Sequence, residues 1–480
     1  MAGIGISLNR IFKKNTLGTD LYGFAYSTIS TVAPMFAVIG AIIISQMILH
    51  FETVSYASRE LFADTILYMF IFSLLCASPF NAVLSRYLSD TIFEERYEDI
   101  RPCYFLGLLL NVVLGCLLGI PFCVREYVVG GVPLYYVFTG YAGFMGLILV
   151  FYSMLYLSIT KDYRRISLFF AIGMVVAVLL SLMLHHVLGF DASYALLLSL
   201  AIGFLMIASL EVGLINSYFR ESSGNYRGVL AYMRQYPSLI IANFLYTLGL
   251  FVHNFVFWTA PDHLVLVGSF VTNMTYDMAT CLAMFTNISA TVIFISEVEM
   301  HFHERYKAYS EAVIGGRRHD IENAKRMMFL QLRAQLMDLV RIQFIITVAV
   351  YFVVSLVMPH VFLDGELLRV YPALAGGYFI LFVMYAEMLY LYYFNDTKGA
   401  VLMSLVFALV TLLGALWSMH LPQILHGLGL VLGAAAGFTV GYLRLQWIER
   451  NLDTHIFCRG SILRRGYGHK PDSYWRVPRE

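Results

Sequence analysis

Apolar residues occur in long stretches along the whole chain, and short clusters of charged residues separate these stretches. A helix needs roughly 20 mostly apolar residues to cross the hydrocarbon core of a bilayer. The first stretch, Leu21–Phe51, contains no charged residue and is longer than the 7–15 apolar residues of a signal peptide, so we expect a first span that is retained. Stretches of similar length predict about twelve spans, near residues 21–49, 62–85, 103–124, 133–160, 166–187, 193–218, 237–258, 264–296, 342–362, 370–394, 400–419 and 426–445.

The composition also indicates a membrane protein. The chain has 480 residues, of which 59% are hydrophobic and 13% are charged, whereas a soluble domain carries about 25% charged residues. An apolar excess of this size predicts an all-α protein that uses the bilayer as its solvent. The net charge of +1 gives no indication of a nucleic-acid partner.

The sequence lacks the common motifs of catalysis and metal binding. The six cysteines form no CxxC pair and have no histidines at zinc spacing, so we expect neither a disulfide framework nor a metal site. His301 and His303 are two residues apart and would not share a helix face. There is no Walker A loop, GxSxG elbow, HExxH helix or dinucleotide fingerprint. We therefore expect a protein that is not an enzyme and needs no cofactor.

The positive charges predict the orientation in the membrane. If the N-terminus is cytoplasmic, the outer loops lie near residues 50–61, 125–132, 188–192, 259–263, 363–369 and 420–425. Of the 32 Lys and Arg residues, only Arg59, Arg125 and Arg369 fall in these loops. Because cytoplasmic loops carry an excess of Lys and Arg, we expect a multi-pass protein of the cytoplasmic (inner) membrane with both termini in the cytoplasm.

The order of the spans divides the chain into two similar parts. Internal repeats are common in transporters, although no sequence repeat between the two parts is visible here. The predicted regions are a cytoplasmic N-terminus (1–20), a first six-helix bundle (21–218), a central cytoplasmic loop (219–236), a second six-helix bundle (237–447) that includes a cytoplasmic helical segment (297–341), and a cytoplasmic tail (448–480).

The cytoplasmic segment at 297–341 is too long to be a simple turn. Gly315 and Gly316 are expected to break it into two helices, and Asp320 to cap the second one. Basic residues follow the break and suggest a docking surface, formed by Arg317, Arg318, Lys325 and Arg326. Anionic lipid or a cytoplasmic partner would suit it. The alternative is an ordinary solvated surface on the cytoplasmic side, and both readings also apply to the basic tail.

Ionisable residues inside spans are costly and often mark a cavity or a substrate path. Asp277 is expected in the middle of the eighth span, where Asn273 and Tyr276 make the helix unusually polar. The functional interpretation is a translocation path in which Asp277 binds a proton, a cation or substrate hydroxyls. The alternative is a structural ion pair.

Three further charged residues are candidates for the same path. Glu387 and Glu211 lie about two turns from the inner ends of the tenth and sixth spans, and Arg86 lies near the inner end of the second. Either carboxylate could take part in ion coupling, and Arg86 is expected to pair with a carboxylate. The alternative for each is a structural pair or an end residue that reaches toward water.

Several segments together resemble one protein family. They are Met1–Gly5 followed by Leu8 and Arg10, Ser85–Ile100 after the second span, Phe151–Ile166 at the end of the fourth, and Ile293–Tyr309 before the long cytoplasmic helix. In sequence and spacing they resemble PelG proteins, the inner-membrane components of Pel exopolysaccharide export. The chain departs from the family pattern at Ile6, Ser7 and Asn9, and its tail from Phe457 does not match.

The resemblance implies the fold of the flippase superfamily that includes the MATE transporters, with two six-helix bundles around a central cavity. It implies export of a hexosamine-rich, Pel-like exopolysaccharide of biofilms. A separate cytosolic glycosyltransferase would make the polymer from a UDP-sugar. Other membrane subunits of a Pel-like complex, including a cyclic-di-GMP receptor, would be partners. The family supplies no catalytic residue to carry over.

Other functions remain open from the sequence. A polysaccharide exporter predicts a wide polar cavity with aromatic lining. A flippase for lipid-linked oligosaccharides would need a cationic cavity, and Arg86 is the one clear basic residue within a span. A cation-coupled drug exporter of the same fold would be served by Asp277. A membrane glycosyltransferase is disfavoured because the predicted outer loops are short.

Overall fold

The structure is a computed structural model that describes residues 17–160, 163–261, 263–266, 270–297, 302–361 and 365–457. Most of the predicted N-terminal region, His301 and the tail from residue 458 lie outside the described residues. The predictions about the tail therefore stay predictions.

The described residues are almost entirely helical. The helices are α1 (Leu17–Ile48), α2 (Tyr56–Phe93), α3 (Ile100–Val128), α4 (Leu134–Thr160), α5 (Tyr163–His186), α6 (Ala192–Tyr218), α7 (Tyr226–Gln235), α8 (Pro237–Phe257), α9 (Met274–Glu297), α10 (His303–Gly315), α11 (Arg318–Val361), α12 (Glu366–Tyr393), α13 (Thr397–Ser418) and α14 (Leu428–Phe457). Short 3-10 turns lie at Phe51–Thr53, Tyr97–Asp99 and Gln423–Leu425. Twelve of the helices follow the order of the twelve predicted apolar stretches, and α7 and α10 are extra. Within the described residues, ten helices are long and apolar enough to cross a membrane.

The segment between α8 and α9 was predicted wrongly as part of a span. Strands β1 (Leu264–Leu266) and β2 (Phe270–Thr272) form an antiparallel pair there, in which Val265 lies opposite Val271. Absence of charge does not distinguish a buried strand from a membrane helix, because both need apolar residues. We call the end of the molecule that carries this pair the hairpin end, and the opposite end, which carries α7, the linker end.

The helices pack in two halves with the same contact pattern. In the first half α2 packs on α4, α4 on α6, α5 on α6, α1 on α5 and α3 on α4. In the second half α9 packs on α12, α12 on α14, α13 on α14, α8 on α13 and α11 on α12. Each of these five contacts of one half has its counterpart in the other, so this contact pattern repeats in the two halves although the sequence does not.

The two halves meet along equivalent helices. Helix α2 contacts α8, and α1 contacts α9. We call the α2–α8 contact the seam. At the hairpin end of the seam, the ring of Phe72 stacks on that of Phe255 with centroids 5.7 Å apart. Farther along, Asn243 Nδ2 donates to the Ser78 carbonyl at 2.5 Å.

Small residues allow two helix pairs to approach closely, as expected between membrane helices. In the first half a Cβ on Gly203 would lie 3.0 Å from the Gly173 carbonyl oxygen, where α5 crosses α6. In the second half a Cβ on Gly414 would lie 2.9 Å from the Cα of Gly429, where α13 meets α14. The pair α5–α6 of the first half is equivalent to the pair α13–α14 of the second.

Helices α10 and α11 form an arm at the linker end. Helix α11 has 44 residues, which at 1.5 Å per residue is about 66 Å, roughly twice the hydrocarbon core of a bilayer. The break at Gly315–Gly316 was predicted correctly. Asp320 does not cap the helix itself: it lies in the first turn, and its Oδ2 accepts a hydrogen bond from the backbone N–H of Arg317 at 3.0 Å, as the reciprocal partner in a capping box does.

The linker helix α7 is fastened to the first half. The Tyr232 hydroxyl donates to Asp90 Oδ2 at 2.5 Å. Burial, reinforced by this hydrogen bond, raises the pKa of the Tyr232 phenol well above its usual value, so the phenol remains a donor. Ser223 just before α7 donates to Asp99. Both acceptors border the loop that joins α2 to α3, within one of the segments that resemble PelG proteins.

Candidate functional site

Asp277 lies at the hairpin end, not in the middle of a span. It is in the first turn of α9 because the preceding residues form the strand pair. Its side chain is buried and accepts hydrogen bonds from Asn254 Nδ2 at 2.6 Å and Trp258 Nε1 at 2.9 Å. Both donors lie at the end of α8. Asp277 therefore ties the start of α9 to the end of the preceding helix.

Asn273 and Tyr276 belong to the same cluster, as the sequence suggested. The Asn273 side chain accepts from the backbone N–H of Tyr276 at 3.1 Å, and the Asn273 N–H donates to Asp277 Oδ2 at 3.2 Å. These bonds satisfy N–H groups at the start of a helix. The Tyr276 hydroxyl lies 2.9 Å from His253 Nδ1. These hydrogen bonds hold the start of α9 in place against the end of α8.

Tyr68 of α2 joins this cluster to the other half of the molecule. Its ring stacks on Trp258, with centroids 4.7 Å apart and planes at 5°. Its hydroxyl donates to the Val271 carbonyl at 2.7 Å and accepts from the Val271 N–H at 3.2 Å. The sequence marked Tyr68 only as one of many tyrosines within spans. Its role depends on residues about 200 positions away, which no local pattern indicates.

Additional buried carboxylates surround Tyr68. Asp64 is 5% exposed and lies close enough to Thr272, Glu60 and Asp277 to interact with them. Its Oδ2 atom has no hydrogen-bond partner in the described structure. Sequence reasoning missed Asp64, although it is the single charged residue between Leu61 and Ser85. That isolation is the signal that could have identified it.

Glu387 and Glu211 lie apart from this cluster. Both are fully buried, and within the described residues their carboxyl oxygens have no hydrogen-bond partner. Glu387 of α12 faces α14 at Gly441, where any Cβ would collide with Glu387 Oε2. Glu211 lies on α6 near Tyr104. An unpaired charge in such places is very costly, which makes these groups candidates for proton binding.

Arg86 lies on the seam at the linker end. Its Nη1 donates to Asn395 Oδ1 at 2.8 Å, and its guanidinium lies 4.4 Å from the centroid of the Tyr236 ring. The expected carboxylate partner is thus replaced by an amide oxygen and an aromatic face. Asn395 belongs to the second half, and Tyr236 directly precedes α8, so Arg86 holds the two halves together.

The basic residues of the arm lie at the start of α11 and in its first turns, and their proposed docking role stays a prediction. Arg317 and Arg326 are exposed, and Arg318 is exposed while it pairs with Glu322 at 2.9 Å. Lys325 is half-buried and has interactions of its own. Among the apolar residues of this part of α11, Met328, Phe329 and Leu332 are buried, whereas Met327 and Leu330 are exposed.

A cavity of about 240 Å³ lies in the first half near the hairpin end. Helices α2, α3 and α4 form its wall, and Phe270 of β2 closes it. Its aromatic lining residues are Tyr68, Phe72, Phe122, Tyr136, Tyr141, Phe144 and Phe270, and Glu126 is its one charged residue. This lining matches the aromatic part of the expectation for an exporter, but the cavity is neither wide nor polar.

The chain is similar to one family of known proteins. A family model, PelG, described as “Putative exopolysaccharide Exporter (EPS-E)”, matches residues 1–457. No curated protein sequence matches the chain.

Solved structures with the same fold are transporters. One is a MATE crystallised in the bent conformation, with 15% identity, a TM-score of 0.58 and coverage of 93% of this chain and 98% of that one. Another is a multidrug resistance MATE family transporter of the MOP superfamily in an outward-facing conformation, with 15% identity, a TM-score of 0.55 and coverage of 89% and 96%. A third is a MOP superfamily transporter from Pyrococcus furiosus, with 17% identity, a TM-score of 0.57 and coverage of 89% and 96%. At these identities the likeness concerns the fold alone, and it confirms the predicted MATE-like class.

Proposed function

This chain belongs to the PelG family of exopolysaccharide exporters, and from this premise we propose that it moves a hexosamine-rich exopolysaccharide across the cytoplasmic membrane. The chain is a multi-pass membrane protein with a transporter fold. The family match over residues 1–457 is the observation that carries the proposal. Both termini would lie in the cytoplasm, as the positive charges predict.

We further propose that a separate cytosolic glycosyltransferase and other membrane subunits deliver the polymer, and that the arm receives one of them. Phe329 stacks on Phe394, the residue after α12, with ring centroids 5.5 Å apart. The arm therefore projects beyond this level by about 15 Å, or ten residues at 1.5 Å each. Arg317, Arg318 and Arg326 lie on that projecting part. These exposed basic residues would suit an acidic protein surface.

For the translocation path, the site residues have different proposed roles. Asp277, Asn273 and Tyr276 shape the hairpin end, and Arg86 fastens the linker end. Among the described residues, Asp64, Glu387 and Glu211 have buried carboxyl oxygens without a hydrogen-bond partner, so they are better suited than Asp277 to bind and release a proton or a cation.

A cation-coupled drug exporter is the second candidate. The observation that favours it is that Asp64 and Asp277 are two buried carboxylates at the hairpin end, one in each half, since ionisable residues within a membrane protein often mark proton or ion paths. A flippase for lipid-linked oligosaccharides is less well supported. The described lining of the 240 Å³ cavity includes no basic residue that would meet a pyrophosphate.

Polymer location in a deletion strain tests the export proposal. The glycosyltransferase is kept expressed, and hexosamine-rich polysaccharide is measured inside and outside the cells. We expect surface polymer to disappear, with polymer retained inside or its synthesis stopped, and to return when the wild-type gene is restored. Unchanged surface polymer in the deletion strain would refute the proposal and favour drug efflux.

A further inference from the structure

The aromatic cavity of the first half adjoins a groove on the outer surface of the helices. A second, shallower groove between α3 and α4 shares Cys123, Val137 and Tyr141 with the cavity. Its other lining residues are apolar and open to the surroundings, and Leu134 and Phe138 are 62% and 68% exposed. Except for Tyr127, the residues that line the groove lie within predicted spans, so the groove faces hydrocarbon.

The polar groups of the cavity wall are already engaged elsewhere. The Tyr68 hydroxyl bonds to Val271 at 2.7 Å, the Tyr141 hydroxyl to Cys116 Sγ at 3.2 Å, and the Tyr136 hydroxyl lies 3.5 Å from Thr65 Oγ1. Glu126 also has interactions of its own. A sugar bound here would leave buried hydroxyls unpaired, which costs about 1–3 kcal/mol for each group. A hydrocarbon guest has no such cost.

We propose that this cavity holds one acyl chain of a membrane phospholipid, which enters through the groove between α3 and α4. The chain would come from the leaflet at the hairpin end. An apolar cavity of 150 Å³ can hold one benzene, so by proportion the present cavity has room for roughly nine carbon atoms. The bound chain fills the space beside Tyr68, Phe122 and Phe270, next to the contact between the two halves.

Trp258 provides a reporter for the bound chain. It is 7% exposed, so surrounding lipid has little contact with it, but its ring stacks on Tyr68 of the cavity wall. Bromine quenches tryptophan fluorescence only at short range. In the full chain, Trp417, Trp447 and Trp475 are replaced by Phe, which leaves Trp258 as the single tryptophan. This protein is placed in nanodiscs of phosphatidylglycerol with or without bromine at mid-chain.

We expect brominated lipid to remove most of the Trp258 fluorescence. The substitution Gly140→Leu should restore it, because a Cβ at this lining position meets its nearest atom at 3.4 Å and the rest of the side chain fills the cavity. Gly213→Leu is the matched control, since a Cβ there meets nothing within 4 Å, and it should leave quenching intact. Val137 lines both the cavity and the groove, so Val137→Phe is the second blocking variant if Gly140→Leu does not fold.

Three outcomes would overturn the proposal. They are no quenching in the unblocked protein, equal quenching in the folded blocking variant, and recovery of fluorescence when a small fraction of unbrominated polyprenol is added. The last would assign the cavity to an isoprenoid chain. The measurement does not involve transport, so it can fail or succeed independently of the export proposal.

Discussion

At the scale of single residues, two carboxylates at the hairpin end differ in what holds them. Asp277 accepts hydrogen bonds from Asn254, Trp258 and the backbone of Asn273. Asp64 has an oxygen without a partner and lies near other carboxylates. The donors offset part of the cost of burying a charge on Asp277, whereas a charge on Asp64 has fewer donors to offset that cost.

The two residues should therefore respond differently to the same substitution. Asp277→Asn replaces one acceptor oxygen by an NH₂ group that faces an existing donor, so it should lower the stability of the purified protein by about 1–3 kcal/mol. Asp64→Asn removes a repelled charge and should leave the stability unchanged or higher. Thermal unfolding in one detergent measures both variants. Equal destabilisation would contradict this division of roles.

Sequence reasoning identified Asp277 but not its role. An isolated charge in an apolar stretch is visible in the sequence, but its donors Asn254 and Trp258 come from another helix. The same isolation marks Asp64, which was overlooked because it lies near a predicted span end. The sequence thus contained the signal for both carboxylates, whereas their hydrogen bonds depend on the packing.

At the scale of elements, the strand pair depends on the helix it rests on. Two short strands are marginal by themselves in water. Here Tyr68 satisfies both the N–H and the carbonyl of Val271, and Phe270 packs edge-on against the Tyr68 ring at 5.3 Å. Helix α2 therefore serves as the support for the hairpin.

Removing one hydroxyl should loosen this element. We expect Tyr68→Phe to speed amide hydrogen exchange in residues 264–272, because it removes both bonds to Val271 but keeps the ring stacked on Trp258. Tyr136→Phe is the matched control, since its hydroxyl bonds only weakly to Thr65 at 3.5 Å. Exchange is followed by mass spectrometry. Unchanged protection in Tyr68→Phe would show that the hydroxyl does not hold the strands.

The helices were more predictable than this hairpin for a physical reason. Long apolar stretches can satisfy their backbone in a bilayer only as helices or closed barrels, so the twelve predicted stretches indicated all the helices except α7 and α10. The run from Leu264 to Thr272 has β-branched residues on both sides of Gly268 and Ser269, a hairpin signal. The prediction followed hydropathy instead of this signal, because an uncharged apolar run fits both a strand pair and a membrane helix.

At the scale of the whole molecule, the seam between α2 and α8 is closed along its length. It runs from the Tyr68–Trp258 stack through the Phe72–Phe255 pair and the Asn243–Ser78 bond to Arg86 on Tyr236. A gate in alternating access opens at one membrane face while it closes at the other. A contact that is closed at both ends is better suited to be a pivot than a gate.

Linking the seam should therefore spare export. In a cysteine-free chain, Phe72→Cys and Phe255→Cys are joined by a short bifunctional thiol reagent, and surface polysaccharide is measured. The matched pair within the first half is Gly143→Cys and Ala201→Cys, where the Cβ atoms would be 3.4 Å apart. We expect normal export with both links. Loss of export with the seam link alone would show that the seam opens during transport.

The repeated helix packing of the two halves was only partly predictable from the sequence. Counting spans gave six and six, and the contacts of α1–α6 recur in the second half. The sequence shows no repeat because different side chains can give the same helix packing. The domain boundaries at 218 and 237 remain predictions. The hairpin has no counterpart between α1 and α2, where the described chain forms only the 3-10 turn Phe51–Thr53.

The hairpin also has a consequence for biosynthesis. Tyr68 and Val271 are separated by 203 residues, and a ribosome delivers the N-terminal part of a chain first. While the first half is inserted, Tyr68 and Asp64 have neither Trp258 nor the strands beside them. These contacts of the first half can form only after the start of the second half has left the ribosome. Until then, the nascent chain exposes the surface around Tyr68 and Asp64 that the hairpin later covers.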